Sequence, residues 1–133
     1  LEAQARARGI EGWVRWHGMI QDASSLYPAF DAWVLSSRTE GTPIALFEAM
    51  GARVPIVVTA VGGVPDVVTP AEALIVPSER PAAIATALTS ILQEPRGAVD
   101  RAAAAYERLI SNFGPEEWLN AHLSLYTLAK RSR

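Results

Sequence analysis

Apolar positions along the chain follow two rhythms. The stretches Asp31-Ala-Trp-Val-Leu-Ser-Ser37, Pro55-Ile-Val-Val-Thr-Ala60 and Ala73-Leu-Ile-Val-Pro77 carry short, nearly continuous apolar runs and predict buried strands. Trp13-Val-Arg-Trp-His-Gly18 alternates instead and reads as a further short strand. The intervening segments are helical. Leu1 to Arg8 ends at Gly9, a suitable C′ stop. Asp22 to Phe30 suggests a short helix with an Asp or Ser cap, interrupted near Pro28. Pro43 to Arg53 places proline at the first helical position, where its missing N–H costs nothing. Val61-Gly-Gly-Val-Pro-Asp66 is a loop opening a short helix.

Pro81 to Gln93 brings Ile84, Leu88, Ile91 and Leu92 to one face. A helix over Ala98–Phe113 follows, and another from Pro115 to the basic tail Lys130-Arg-Ser-Arg133, where cations suit a helix C-terminus. Wholly apolar strands alternating with helices define an α/β fold with a parallel sheet covered on both faces. The late helices are expected to pack outside that sheet.

Composition narrows the classes. The chain has 133 residues, half of them apolar, enough for one domain with a real core. A net charge of −2 gives no basic footprint for nucleic acid. Without cysteine there is no disulfide framework and no thiolate metal site. No apolar run reaches the about 18 residues of a membrane span, and no signal peptide is visible. A cytoplasmic setting is the expectation. Because the chain opens without methionine on what reads as the end of a helix, it is expected to be part of a longer protein.

The candidate chemistry lies in Arg38-Thr-Glu-Gly-Thr-Pro-Ile-Ala-Leu-Phe-Glu48, where Glu40 and Glu48 flank seven residues. A strand feeds this loop, and ligands of open parallel sheets bind beyond the carboxyl ends of strands. The N–H groups of Ile44 and Ala45 would point out of the helix start with the positive dipole end behind them, an anion site suited to a diphosphate. Gly41 removes a side chain where backbone must approach a ligand. Carboxylates accept hydrogen bonds from vicinal hydroxyls, so one acid for a ribose and one for a hexose fit a nucleotide-sugar. On spacing alone a plainer reading stands ahead: Glu40 as an acid near a helix N-terminus and Glu48 as a solvated helix residue.

The longer pattern, DAWVLSSRTEGTPIALFEAMGARVPIVVTAVGGVPDVV, changes that balance. It resembles the C-terminal donor-binding domain of retaining family-4 glycosyltransferases, the glycosyl transferases group 1 of GT-B architecture. The resemblance runs from the strand at Val14 to the helix at Phe113. It implies a Rossmann-like parallel sheet flanked by helices, a partial C-terminal domain over residues 1–133, with the acceptor domain and this domain's first strands absent. It implies that Glu40 is the catalytic residue, its carboxylate contacting the donor sugar. The resemblance also implies that the backbone stretch Gly41, Thr42, Pro43, Ile44 and Ala45 holds the diphosphate through its N–H groups, Pro43 having none to give, and that Glu48 binds the ribose hydroxyls. Retention of anomeric configuration is implied as well. No cofactor and no metal are expected, the nucleoside-diphosphate sugar being a substrate. Arg38, Gly18, Met19, Gly62 and Gly63 are further candidates: Arg38 for phosphate or sugar, Gly18 and Met19 with Ile20 for the base, and Gly62-Gly63 as a turn bordering the cleft.

The chain departs from the family pattern in several places. The Arg and Lys usually supplied to the diphosphate from upstream are absent, as is the glycine loop before the first helix. Ser36 replaces a common proline. Arg53 replaces a glycine, so the turn there is expected to differ, exploiting Gly51. Pro70-Ala-Glu-Ala73 replaces a glycine-rich loop. Two missing strands would leave a gap or an exposed edge, which invites self-association.

The remaining singletons read as structural: His17 as a core or edge histidine, His122 as packing beside Trp118 and Tyr126, Trp13 and Trp16 as core. The reading is therefore a hexosyltransferase that moves sugar from a nucleoside diphosphate to an acceptor hydroxyl on a glycan, lipid or small molecule. The isolated chain is expected to be inactive without its N-terminal partner domain. A non-catalytic nucleotide-binding or interaction domain is the alternative, and an epimerase of the same architecture ranks behind both. The basic tail and the apolar last helix (Trp118, Leu119, Leu123, Leu125) are expected to pack on the missing domain, with a membrane surface as the other option.

Overall fold

The computed structural model describes residues 1–131; of these, the side chains at 117, 118, 121 and 128–131 fall outside the described set. The expectation for Trp118 and the end of the basic tail therefore lies outside it. Among the described residues six helices and three strands follow one another: α1 (Glu2–Ala7), β1 (Trp33–Leu35), α2 (Ile44–Gly51), β2 (Ile56–Thr59), α3 (Val64–Val67), β3 (Leu74–Val76), α4 (Pro81–Gln93), α5 (Pro95–Phe113) and α6 (Pro115–Arg131). Two 3₁₀ turns, Glu11–Trp13 and Ala23–Ala29, fill the chain between α1 and β1. The strands form a parallel sheet in the order β1-β2-β3, with Trp33 opposite Ile56 and Val57 opposite Leu74.

Strand alternation divides the core. Ile56 and Val58 of β2 join Leu46, Ala49 and Met50 of α2, Val64 and Val67 of α3 and Ala105 of α5 on one face. Val57 joins Val76 of β3, Ala87 and Ile91 of α4 and Ala98 of α5 on the other. β2 is buried at all four positions, as its apolar run predicts. Helix α5 reaches both faces because its buried stripe is alanine (Ala98, Ala102 and Ala105), and small side chains let helix and sheet approach closely. Its later turn supplies Leu109, whose Cδ2 would stand 3.6 Å from a Cβ placed on Gly51, and Phe113 against Phe47, ring centroids 5.0 Å apart.

Several expectations are corrected. Trp13–Gly18 is not a strand: a 3₁₀ turn covers Glu11–Trp13 and the rest is irregular. Alternation favours extension, but a strand also needs a backbone partner, and among the described residues none pairs with this segment. Trp13 is 91% exposed and Trp16 exposed, so neither is core. β1 lies at the sheet edge and is half-buried rather than buried, with Val34 exposed. Leu92 points away from the Ile91 stripe and is exposed. The 22–30 segment is a 3₁₀ turn, and Asp22 at its start has a left-handed backbone (φ 57°) and no capping bond to the helix amides. Pro43 occupies the N-cap of α2, not its first turn.

The turn after α2 does not exploit Gly51, which is the last helical residue; Arg53 itself adopts φ 54°. Its guanidinium lies 3.8 Å from the Tyr106 ring centroid, a cation–π contact that offsets part of the backbone cost.

Candidate functional site

Helix α2 leaves the carboxyl end of β1 through the loop 36–43. Its seat is fixed by Leu46, Ala49 and Met50, each 0% exposed. That anchoring turns Ile44, Glu48 and Gly51 outward on one face, one turn apart. The first turn tightens through Leu46 N–H donating to the Pro43 carbonyl at 3.0 Å. The N–H groups of Ile44 and Ala45 donate to no described group. Ile44 is 74% exposed and Ala45 half-buried, so the helix mouth is open. An anion presented there would meet two free donors and the positive dipole end.

Glu40 stands at the lip of this mouth, half-buried, and accepts a hydrogen bond from Ser37 Oγ at 2.5 Å. That is the length of a charge-assisted O–H···O⁻ bond. Glu48 is exposed, with no described partner for its carboxylate. Gly41 and Thr42 are exposed beside Glu40; a Cβ on Gly41 would have no neighbour within 4 Å. Pro43 is buried beneath the loop. The open space over Gly41 is where the sequence places a ligand.

The 62–63 glycines act on this loop directly. Gly62 has φ 53°, and a Cβ there would stand 1.8 Å from the Glu40 carbonyl oxygen. At Gly63 a Cβ would stand 2.6 Å from the Gly41 carbonyl, while the Gly63 N–H donates to that same oxygen at 2.9 Å. What the glycines permit is close approach of the β2–α3 loop to the Glu40–Gly41 backbone. Arg108 of α5 braces the far end of α3, Nε donating to the Val67 carbonyl at 2.7 Å.

Other cross-ties were not read from the sequence. Thr59, the last residue of β2 and 1% exposed, donates its hydroxyl to the Ser37 carbonyl at 2.7 Å, with the Leu35 carbonyl at 3.3 Å. Ser78, after β3, reaches the same Ser37 carbonyl at 3.3 Å. The available signal was a hydroxyl closing an otherwise apolar strand. The loop 70–73 holds itself instead of reaching out: buried Glu72 accepts from Thr69 N–H at 2.7 Å and from Thr69 Oγ1 at 2.8 Å.

Arg38 pairs through Nε with Glu79 at 3.2 Å on the surface. With Ser36, Thr59 and Arg80 the pair lines a cleft of about 420 Å³ at the strand ends. Gly18 (φ 65°) and Met19 lie in the irregular segment before Asp22, both exposed, and no described contact ties them to α2. Among the described residues no three His, Asp or Glu side chains are grouped to hold a metal ion, and no helix is long and apolar enough to cross a membrane.

Comparison with known proteins gives concordant matches. The family model described as "Glycosyl transferases group 1" matches residues 1–94. Glycogen synthase of Mycobacterium tuberculosis is 34% identical over 102 residues, covering 76% of this chain and 25% of that protein. The chain thus spans about a quarter of the length of the curated relatives it matches. Sucrose-phosphate synthase from Thermosynechococcus elongatus superposes with a TM-score of 0.87 at 28% identity, over 99% of this chain and 34% of that one. Anabaena HepE, solved in complex with UDP and with UDP-glucose, gives a TM-score of 0.83 at 19% identity over 97% and 35%. The C-terminal domain of the group 1 family protein LpcC from Francisella tularensis gives 0.76 at 22% over 86% and 60%.

Proposed function

Because the chain belongs to the glycosyl transferases group 1 family, we propose that it is the donor-binding part of a retaining, family-4-type hexosyltransferase that takes sugar from a nucleoside diphosphate. The observation that carries this reading is the open start of α2. Two unpaired amides, Ile44 and Ala45, sit between a Ser37-held Glu40 and an outward Glu48. In HepE, whose fold this chain shares, the bound molecules are UDP and UDP-glucose, which supports a nucleotide-sugar here.

The diphosphate rests on the Ile44 and Ala45 amides, where the helix dipole favours its charge most as the leaving group departs. Glu48, one turn further along, takes the vicinal hydroxyls of the ribose. Glu40 takes hydroxyls of the hexose. The acceptor hydroxyl replaces the diphosphate on the same face of the sugar. No metal is required in this scheme; cations from outside residues 1–133 complete the neutralisation. An N-terminal domain supplies the acceptor site, and this chain by itself does not turn over. A cytoplasmic setting fits a soluble nucleotide-sugar donor, and self-association through the β1 edge remains part of the proposal.

The test is calorimetric titration of UDP-, GDP- and ADP-glucose, and the matching free diphosphates, into the full-length protein. One base is expected to bind, and Glu48→Ala to weaken that nucleotide about tenfold or more, with or without sugar. Equal binding by the variant would remove Glu48 from the site. Binding without sugar transfer to any of a panel of acceptors would favour a nucleotide-binding domain without catalysis.

A further inference from the structure

The end of β2 raises a question that donor binding alone does not answer. Ile56, Val57 and Val58 are apolar and buried, and the strand then closes on a hydroxyl that is 1% exposed. Burying a hydroxyl is unfavourable unless it is hydrogen-bonded, and a valine would continue the apolar run. Thr59 is satisfied by the Ser37 carbonyl at 2.7 Å, across 22 residues of sequence. The same Ser37 sends its own hydroxyl to Glu40 Oε1. Ser78, from the next strand end, reaches the same carbonyl at 3.3 Å.

We infer that Thr59 is a positioning residue: acting through Ser37, its buried hydroxyl sets where the Glu40 carboxylate stands against the donor sugar. This rests on the role proposed for Glu40 above. A carboxylate on a loop has many rotamers and a mobile backbone. Here the loop is tied to β2 at Ser37 and to the 62–63 turn through the Gly63 N–H bond to Gly41, and the side chain is tied back to Ser37. The Ile44 and Ala45 amides, in contrast, are fixed by the packing of α2 and do not depend on Thr59. Loss of the hydroxyl should therefore weaken recognition of the sugar and leave recognition of the diphosphate alone. A purely structural role would weaken both or lower stability only.

The experiment measures, in the full-length protein, affinity for whichever of UDP-, GDP- or ADP-glucose binds and for its sugar-free diphosphate. Thr59→Val is expected to lower the ratio of the two affinities by up to about tenfold, the range of one hydrogen bond, with free-diphosphate binding unchanged. Thr59→Ser should restore the ratio. Glu40→Gln should abolish the sugar's contribution, and Thr59→Val added to it should cost nothing more, because Thr59 acts only through Glu40.

If Thr59→Val does not fold, Ser37→Ala tests the next link and should give the same sugar-specific loss. A Thr59→Val protein whose two affinities are unchanged, or fall together, overturns the inference, as does an unaltered Ser37→Ala. If Glu40→Gln leaves the ratio intact, the proposed role of Glu40 fails and the inference with it. If Glu40→Gln lowers the ratio while Thr59→Val does not, only the inference fails.

Discussion

Substituting Gly62 by alanine should damage both the fold and the candidate site, and the size of the effect follows from the geometry. A Cβ at this position lies 1.8 Å from the Glu40 carbonyl oxygen and 2.7 Å from its carbonyl carbon. Reaching even 3.0 Å from the oxygen requires the two loops to part by about 1.2 Å. The obstacle is backbone, not the end of a flexible side chain, so no rotamer relieves it. Parting the loops stretches the Gly63 N–H bond to Gly41, now 2.9 Å, at a cost of about 1 kcal/mol. The φ of 53° adds roughly 1–2 kcal/mol for any residue with a Cβ.

Together these predict a loss of roughly 2–3 kcal/mol in urea unfolding. A displacement of this size at a positioning group also predicts a loss of donor turnover of up to about a hundredfold. The control is Gly41→Ala, whose Cβ meets nothing within 4 Å. That variant should unfold as the parent does while, on the proposed roles, binding the nucleotide-sugar less well, because its methyl group would fill open space beside Glu40. If Gly62→Ala kept both parental stability and parental donor affinity, the close approach of the two loops would not be a determinant of the site, and the argument would fail.

Other perturbations separate local strain from packing. Arg53→Ala should destabilise by about 0.5–1 kcal/mol through loss of the Tyr106 contact. Arg53→Gly, which also loses that contact, should be about 1 kcal/mol more stable than the alanine variant because it relieves the left-handed backbone; equal unfolding midpoints would refute the strain. Glu72→Ala should cost about 1–2 kcal/mol by leaving the Thr69 groups without their acceptor, and donor affinity by titration should not change. Arg108→Ala should cost about 1–2 kcal/mol by uncapping the Val67 carbonyl, and hydrogen exchange at α3 should quicken more than at β2.

What could be read from the sequence was what local pattern determines. β2 and β3 lie inside their apolar runs, and α4 spans Pro81–Gln93 as its spacing predicts. The outward pair Ile44 and Glu48 follows from helical periodicity alone. Errors arose where the outcome depends on distant partners. Trp13–Gly18 has the alternation of a strand but no described neighbour to pair with. β1 is less buried than its apolar content suggests because its sheet position, not its composition, sets exposure. The ties at Ser37 join residues 22 and 41 positions apart, and no local window contains both ends. Gly62 was legible as a turn, but the group it makes room for, the Glu40 carbonyl, was not.

The two acids of the candidate site therefore owe their positions to different physics. Glu48 and the Ile44 and Ala45 amides ride on a helix whose inner face is fully buried, so their placement has the stiffness of the core. Glu40 rides on a loop whose placement depends on a few hydroxyl and amide bonds between strand ends, each worth about 1 kcal/mol. Strain introduced beneath α2, for instance at Met50, is transmitted to the amides and Glu48 together. Strain introduced at the strand ends reaches Glu40 first. On the proposed roles, a site built this way would hold a diphosphate rigidly while the acid assigned to the hexose shifts by small changes in a hydroxyl network. Within a single fold, the sugar end is thus the more readily altered of the two.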